Sequence, residues 1–180
     1  RGNGYVGSGS GGSIWLDVGV LSGTRQIKAN GAPATYWTGG GGGGRIAVYY
    51  ENAEEFDLAQ VYARGGEVGP EQPSGAAGTV FLKAKAGALG DFRIDNGDVA
   101  GDSATTGYSV GAVDSLVVHN TSANLLGQPE MSRFQVTAGS VSVPIPLSGS
   151  SLTLDSSTLK LRGAQSWQRV ELKMMSPPGR

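Results

Sequence analysis

Cysteine is absent from the 180 residues and histidine occurs once. Disulfides, thiolate metal centres and a cysteine nucleophile are therefore excluded, and so is a cluster of histidines around a metal. Charge is sparse as well. Fourteen Lys and Arg against fifteen Asp and Glu leave a net charge of −1, with no basic field to attract nucleic acid or an anionic membrane surface. No apolar run approaches the roughly 20 residues that cross a bilayer. The sequence does not begin with Met, and no signal peptide is read at its start. The chain opens at Arg1-Gly2-Asn3-Gly4 and closes on Ser176-Pro177-Pro178-Gly179-Arg180, which reads as a linker, so the expectation is a piece of something longer.

What the chain has in excess is glycine, 31 residues against ordinary usage of about 7%. The glycines come in clusters separated by strand-like segments, which argues for many turns rather than for disorder. The longest cluster, Gly39–Gly44, runs into Arg45-Ile46-Ala47-Val48-Tyr49-Tyr50, where apolar residues alternate at period 2. The same pattern precedes it at Gly9–Val18 and follows it at Gly75–Ala84. Aligning Gly12-Ser13-Ile14, Gly44-Arg45-Ile46 and Gly78-Thr79-Val80 reveals an internal repeat of 32 and then 34 residues.

A second short alternating segment recurs within each unit: Gln26–Gly31, Gln60–Gly65 and Phe92–Gly97. Each repeat thus holds two strands and a long glycine-rich excursion, Ala32–Gly43 or Gly66–Ala77. Glu51–Ala63 fits a helix in isolation, but the alignment favours a strand at Asp57–Ala63 with one helical turn at Ala53–Phe56. Beyond Gly97 the pattern is less regular. Asp98–Gly111 reads as loop, and strand signals follow at Ser115–His119, Arg133–Thr137, Ser140–Val143, Ser151–Leu154, Thr158–Leu161 and Trp167–Met174. Turns are expected at Ser148–Ser151 and Asp155–Ser157, a corner or edge at Pro144 and Pro146, and inward positions at Leu152, Leu154, Leu159 and Leu161.

A unit of thirty-odd residues with two short strands cannot bury its own apolar face and must stack on its neighbours. Stacking places Ile14, Ile46 and Val80 in one column, Leu16, Val48 and Leu82 in a second, and Ile27, Val61 and Ile94 in a third. The glycines at 12, 44 and 78 then sit at corners that need positive φ or lack room for Cβ. The expected fold class is all-β: a right-handed parallel β-helix, a solenoid with long glycine-rich loops. Residues 1–12 form a lead-in, 13–175 one domain (clear repeats over 12–97, less regular coils over 98–175), and 176–180 a linker.

The segments GSGGSIWL, LSGTRQIKANG, GGGGGGRIAVYY, GAAGTVFLK and GDFRIDNG resemble the glycine-rich repeats of large secreted surface proteins, which are similar to pectin-lyase-like β-helices. The resemblance covers residues 7–97. Arg25 departs from it, standing where such repeats often carry glycine. It implies an extracellular or cell-surface location and a structural, adhesive or filament-forming role, while β-helices also host lyases and hydrolases.

Each candidate for chemistry has a plainer alternative. Gly7–Gly12 satisfies G-x-G-x-x-G, yet a strand follows instead of the helix that would face a pyrophosphate. Gly39–Gly44 precedes Arg and a strand, not Lys-Ser/Thr and a helix, so a tightly packed or flexible loop is expected, with stacked polyglycine strands as the alternative. Asp91, Asp95, Asp98 and Asp102 are the best site candidate, either for acid/base hydrolysis of a glycan or for Ca²⁺. Their spacing matches no calcium loop, and Asp and Asn beside Gly are turn formers. Lys83, Lys85 and Arg93 near them resemble the basic residue of pectate lyases, or form a solvated face. His119 would have to serve any Ser-His-Asp triad, and no nucleophile elbow is present. Trp15, Tyr36, Trp37, Tyr49 and Tyr50 form either a sugar-stacking strip or a packing contact. Asn120-Thr121-Ser122 is a glycosylation sequon if the source is a secreted eukaryotic protein. The resulting expectation is a non-enzymatic structural or adhesive module with no catalytic, cofactor or metal residues, Ca²⁺ being the one cofactor left open. It associates with itself, with neighbouring domains of its parent or with a glycan. A polysaccharide lyase or hydrolase is the second reading.

Overall fold

The computed structural model describes residues 7–34, 39–68, 73–99, 105–127, 130–143, 146–162 and 165–173. Its regular structure is all-β. The only helical piece among these residues is a 3₁₀ turn at Leu58–Gln60.

Three strands carry the long repeat: β1 (Ser13–Val20), β3 (Arg45–Asn52) and β5 (Thr79–Ala84). They pair in parallel, with Ile14 beside Ile46 beside Val80 and Leu16 beside Val48 beside Leu82. Two of the three expected columns are therefore present. Alternation turns Ile46, Val48, Val80 and Leu82 to one face, where all four are buried. Fully burying each is worth about 1.5–3 kcal/mol. The second strand of the repeat is short: β2 (Ile27–Lys28) pairs in parallel with β4 (Val61–Tyr62), Ile27 beside Val61. The strand expected at Asp57–Ala63 is reduced to β4, because the Asp57 carboxylate accepts the Ala59 N–H and closes the 3₁₀ turn. The turn expected at Ala53–Phe56 is present, with the Phe56 N–H on the Ala53 carbonyl at 3.0 Å.

The described parts of the glycine-rich excursions do not run as loops. Residues 9–12, 29–34, 40–44, 63–67 and 73–78 run as extended segments bonded to one another by main-chain hydrogen bonds at intervals of three. Gly41 and Gly44 donate to Ala32 and Ala29; Gly40 and Gly43 donate to Pro73 and Ala76; Gly75 and Gly78 donate to Gly66 and Ala63; Gly31 and Ala34 donate to Arg64 and Glu67. A repeat of three is that of the extended helix with three residues per turn, whose own backbone makes no internal bonds and is free to bond sideways. The segments 29–34 and 63–67 lie parallel in one layer; 9–12, 40–44 and 73–78 lie parallel in a second, antiparallel to the first. The segments approach so closely, within a layer as well as between layers, that a side chain cannot enter. A Cβ on Gly41 would stand 2.7 Å from the Gly9 carbonyl carbon, and one on Gly44 2.8 Å from that of Gly11. Absence of space, not positive φ, is what requires glycine here. Gly12, expected at such a crowded corner, has open space instead, and Asn30-Gly31 passes through the bundle without a turn.

The other half of the chain reverses direction. A tight connection leads into β6 (Asp91–Asp95), which pairs antiparallel with β5 and parallel with β8 (Val113–His119). β10 (Met131–Thr137), β12 (Ser148–Asp155) and β14 (Ser166–Lys173) continue in parallel, giving one eight-stranded sheet in the order β1-β3-β5-β6-β8-β10-β12-β14. Behind it lies a four-stranded parallel sheet, β13-β11-β9-β7, from Thr158–Leu161, Ser140–Val143, Ser122–Leu126 and Thr106–Ser109. Ile94 therefore leaves the expected column with Ile27 and Val61 and stands beside Val118. The stretch expected as loop before Gly111 contains β7, and the turn expected at Ser148–Ser151 is the start of β12. Leu152 is buried, and Leu154, Leu159 and Leu161 pack against the same core as expected.

This half has its own repeat, of 18 residues. Leu116, Phe134, Leu152 and Val170 are register neighbours, as are Val118, Val136, Leu154 and Leu172, and Ala123, Val141 and Leu159. The corner between the sheets recurs at the same interval, with Asn120, Ala138 and Ser156 at φ 47°, 49° and 49°. Each donates its N–H to the next repeat, to Thr137, Asp155 and Lys173.

The antiparallel junction has a geometric consequence. Directly opposed residues point to the same face, so Val80 shares a face with Arg93 and Leu82 with Asp91, while Phe81 shares the other with Phe92. Ile94, fully buried in the second core, lies on the Phe92 face. The two cores thus occupy opposite faces of one continuous sheet.

Candidate functional site

The acidic cluster is dispersed by β6. Asp91 and Asp95 are four strand residues apart, about 13 Å at the rise of a strand, whereas paired glycosidase carboxylates stand about 5–9.5 Å apart. Each is held by its register neighbour on β8. Asp91 accepts the Ser115 hydroxyl. Asp95 meets His119 Nδ1 at 2.8 Å and also accepts the Gly97 N–H at 2.7 Å. Asp98 is exposed on a turn, and Asp102 lies outside the described residues. Among the described residues no three acidic or histidine side chains converge to hold a metal ion.

His119 thus has its carboxylate partner, but the serine of the same strand, Ser115, gives its hydroxyl to Asp91. Asp95 closes the turn after β6 while orienting the imidazole. Between the two, Asn96 is fully buried; its Oδ1 accepts the Gly65 N–H at 2.7 Å and its amide donates to the Gly75 carbonyl at 3.2 Å. It ties both layers of the glycine bundle to β6.

The basic residues divide between the faces. Lys83 shares a strand face with Phe81, while Arg93 opposes Val80 on the other and donates to the Leu58 carbonyl at 3.0 Å. Lys85 spans three strands, 2.6 Å from Asp17 and 3.5 Å from Glu51. The Asp17 hydrogen bond holds its ammonium above the usual value of 10.5. Asp57 lies below its usual value because the Ala59 N–H donates to it. Both are exposed surface features that order local structure.

The aromatic residues give the one extended feature. Tyr49 lies 6.0 Å from Trp15 and 5.8 Å, edge on, from Phe81. Trp15 is 68% exposed, whereas Phe81 and Phe92 lean on the second core. The row is a packing contact at Phe81 and an open aromatic surface at Trp15. Tyr50 points the other way, into the first core, and Tyr36 and Trp37 lie outside the described residues. Phe81 was missed as a member of this row. The repeat alignment placed it on the same strand face as Lys83 and diagonal to Tyr49, so the signal was present. The sequon is structural here: the Asn120 amide donates to the Gly97 and Val99 carbonyls at 2.8 and 3.1 Å.

Leu89 on the 85–90 connection and Leu126 on β9 are exposed singly, and the other exposed apolar side chains stand at the two ends of the large sheet. On β14, Val170 and Leu172 are 53% and 68% exposed, although their register neighbours Leu152 and Phe134, Val118 and Val136 are buried. On β1, Val20 is 70% exposed, and Ile14 and Leu16 are only half-buried. No helix among the described residues is long and apolar enough to cross a membrane. Comparisons with protein-family models, with curated proteins and with solved structures return no match.

Proposed function

We propose that the chain is a length of right-handed parallel β-helix that serves as a non-enzymatic structural and adhesive module of a larger extracellular surface or filament protein. Strand-to-strand crossovers in a parallel sheet are right-handed in about 98% of cases. The two halves share one hand, because reversing strand direction and exchanging the core face together amount to a half-turn about the stacking axis. The observation that carries the role is the open state of both sheet ends. Among the described residues, β1 and β14 each present an unpaired strand edge with apolar side chains uncovered beside it, the arrangement that recruits a further strand. The module therefore joins more of the same architecture, either a neighbouring repeat of its parent or another copy. Mass measured by light scattering across a concentration series, with electron microscopy, tests this. Growing, end-joined particles are expected, and uniform monomers at every concentration would refute it.

The Trp15–Tyr49 surface favours a second reading, glycan binding, since an exposed aromatic face stacks on sugar rings. Binding of uronic-acid or neutral oligosaccharides that disappears in Trp15→Ala and Tyr49→Ala is the result it requires. Turnover of such glycans, with or without Ca²⁺, that is abolished by Asp95→Ala would replace both readings with an enzymatic one.

A further inference from the structure

We infer that the occupant of the β14 edge is β1 of a second copy, docked in parallel after a half-turn about the stacking axis, with Val170 beside Ile14 and Leu172 beside Leu16. This rests on the end-joining role proposed above and specifies its partner, faces and register.

Core continuity fixes the orientation. At β14 the apolar face is that of the second core; at β1 it is that of the first, and the two lie on opposite faces of the sheet. Translation alone would set the apolar side chains of one copy against the polar face of the next. A half-turn brings Ile14 and Leu16 onto the Val170–Leu172 face. Because β1 and β14 run in opposite directions within one chain, the same half-turn makes them parallel across the junction. One operation satisfies both conditions, and its repetition yields a filament with a two-fold screw rather than a closed ring.

Charge fixes the register. Aligning 170 with 14 and 172 with 16 places Lys173 beside Asp17, Glu171 beside Trp15 and Arg169 beside Ser13 on the outer face. A slip of two residues, 170 with 16, would set Glu171 against Asp17, a like-charge pair in adjacent positions. The opposite slip, 172 with 14, would take Lys173 off Asp17 and set Val170 beside Gly12, which has no side chain to pack on it. A slip of one would turn every apolar side chain outward. In the favoured register Arg169 is a diagonal neighbour of Trp15, within reach of the exposed indole face. Lys173 is free to turn, since its contact with Glu171 is a 3.5 Å surface pair, and it would share the Asp17 carboxylate with Lys85, which stands 2.6 Å from it within the chain.

Lack of cysteine makes the test clean. Adjacent strands lie about 4.8 Å apart, inside the Cα–Cα range of roughly 4.4–6.8 Å that a disulfide spans. A chain carrying both Ser13→Cys and Arg169→Cys is expected to give a ladder of disulfide-linked oligomers on mild oxidation. Each single-cysteine chain meets no thiol at the junction and stays unlinked, and Ser13→Cys with Glu171→Cys links several-fold less than the first pair. Equal linking of both pairs, or assembly by light scattering without Arg169–Ser13 linkage, would overturn the register while leaving end-joining intact. Monomers that do not link would overturn both. As a second readout, Asp17→Lys is expected to weaken assembly and Lys173→Glu to restore it in the same chain. Weakening without restoration, once circular dichroism shows both variants folded, counts against the pairing.

Discussion

Two adjacent residues in a run of six identical glycines are expected to respond to the same substitution with opposite sign. Gly41 is buried inside the bundle. A Cβ there would lie 2.7 Å from the Gly9 carbonyl carbon and 3.2 Å from the Ala32 nitrogen, and both neighbours are main chain that cannot rotate away. Accommodation must separate the segments and break the hydrogen bonds from Gly41 to Ala32 and from Gly66 to Gly41. Overpacking costs about 1–3 kcal/mol and each lost bond about 0.5–1.5, so Gly41→Ala is expected to cost about 2–6 kcal/mol. Gly42 faces outward. The nearest atom to its Cβ would be the Ala76 oxygen at 4.0 Å, and its φ is not in the left-handed region. Alanine there only reduces the freedom of the unfolded chain, a gain of about 0.4–1 kcal/mol. For a chain of this size each kcal/mol moves Tm by about 2–4 °C. Calorimetry and urea denaturation should show Gly41→Ala well below the parent and Gly42→Ala level with it or above. If both prove neutral, the run is a flexible loop and the bundle is wrong.

Relief of the corner at Ala138, φ 49°, by Ala138→Gly is expected to raise stability by up to about 1 kcal/mol, read from the denaturation midpoint, because a side chain in the left-handed region costs about 1–2 kcal/mol. Asn96→Ala strands a buried N–H on Gly65 and a carbonyl on Gly75, a loss of about 2–5 kcal/mol that amide exchange should localise to the glycine bundle. Tyr108 donates to the Ala77 carbonyl at 2.6 Å, and burial pushes its phenol above 10.0. A raised value means that its contribution is complete below pH 10 and is lost as pH climbs through the shifted value. Lys85, raised by Asp17, fails in the same direction above 10.5. Tyr108→Phe is therefore expected to be less stable than the parent at pH 7 by about 1–3 kcal/mol, and to show a shallower alkaline decline.

The first half was legible because its repeat places like side chains at like positions, so Ile14, Ile46 and Val80 identify one another without any structure. Ile94 misled because Phe92–Gly97 resembles Gln26–Gly31 in local pattern, and nothing local records that the chain has reversed and exchanged faces. The 18-residue repeat was written in Leu116-x-Val118, Phe134-x-Val136, Leu152-x-Leu154 and Val170-x-Leu172. The variety of residues at its corners, Asn, Ala and Ser, hid the period where glycine would have announced it. Lateral bonding of the glycine segments had no signal in hydrophobic periodicity, since residues without side chains have none. At the candidate site, Trp15 and Tyr49 were recognisable from the repeat. The dispersal of the aspartates was not, because it depends on β6 being a strand throughout and not a turn.

The connection at 85–90 lets one ribbon of strands carry two patterns of different length. The repeat of 32 and 34 residues lies before it and the repeat of 18 after it, and the hairpin hands the apolar side of the ribbon from one face to the other between them. Within the chain neither pattern has to match the spacing of the other, so each can gain or lose a unit by itself.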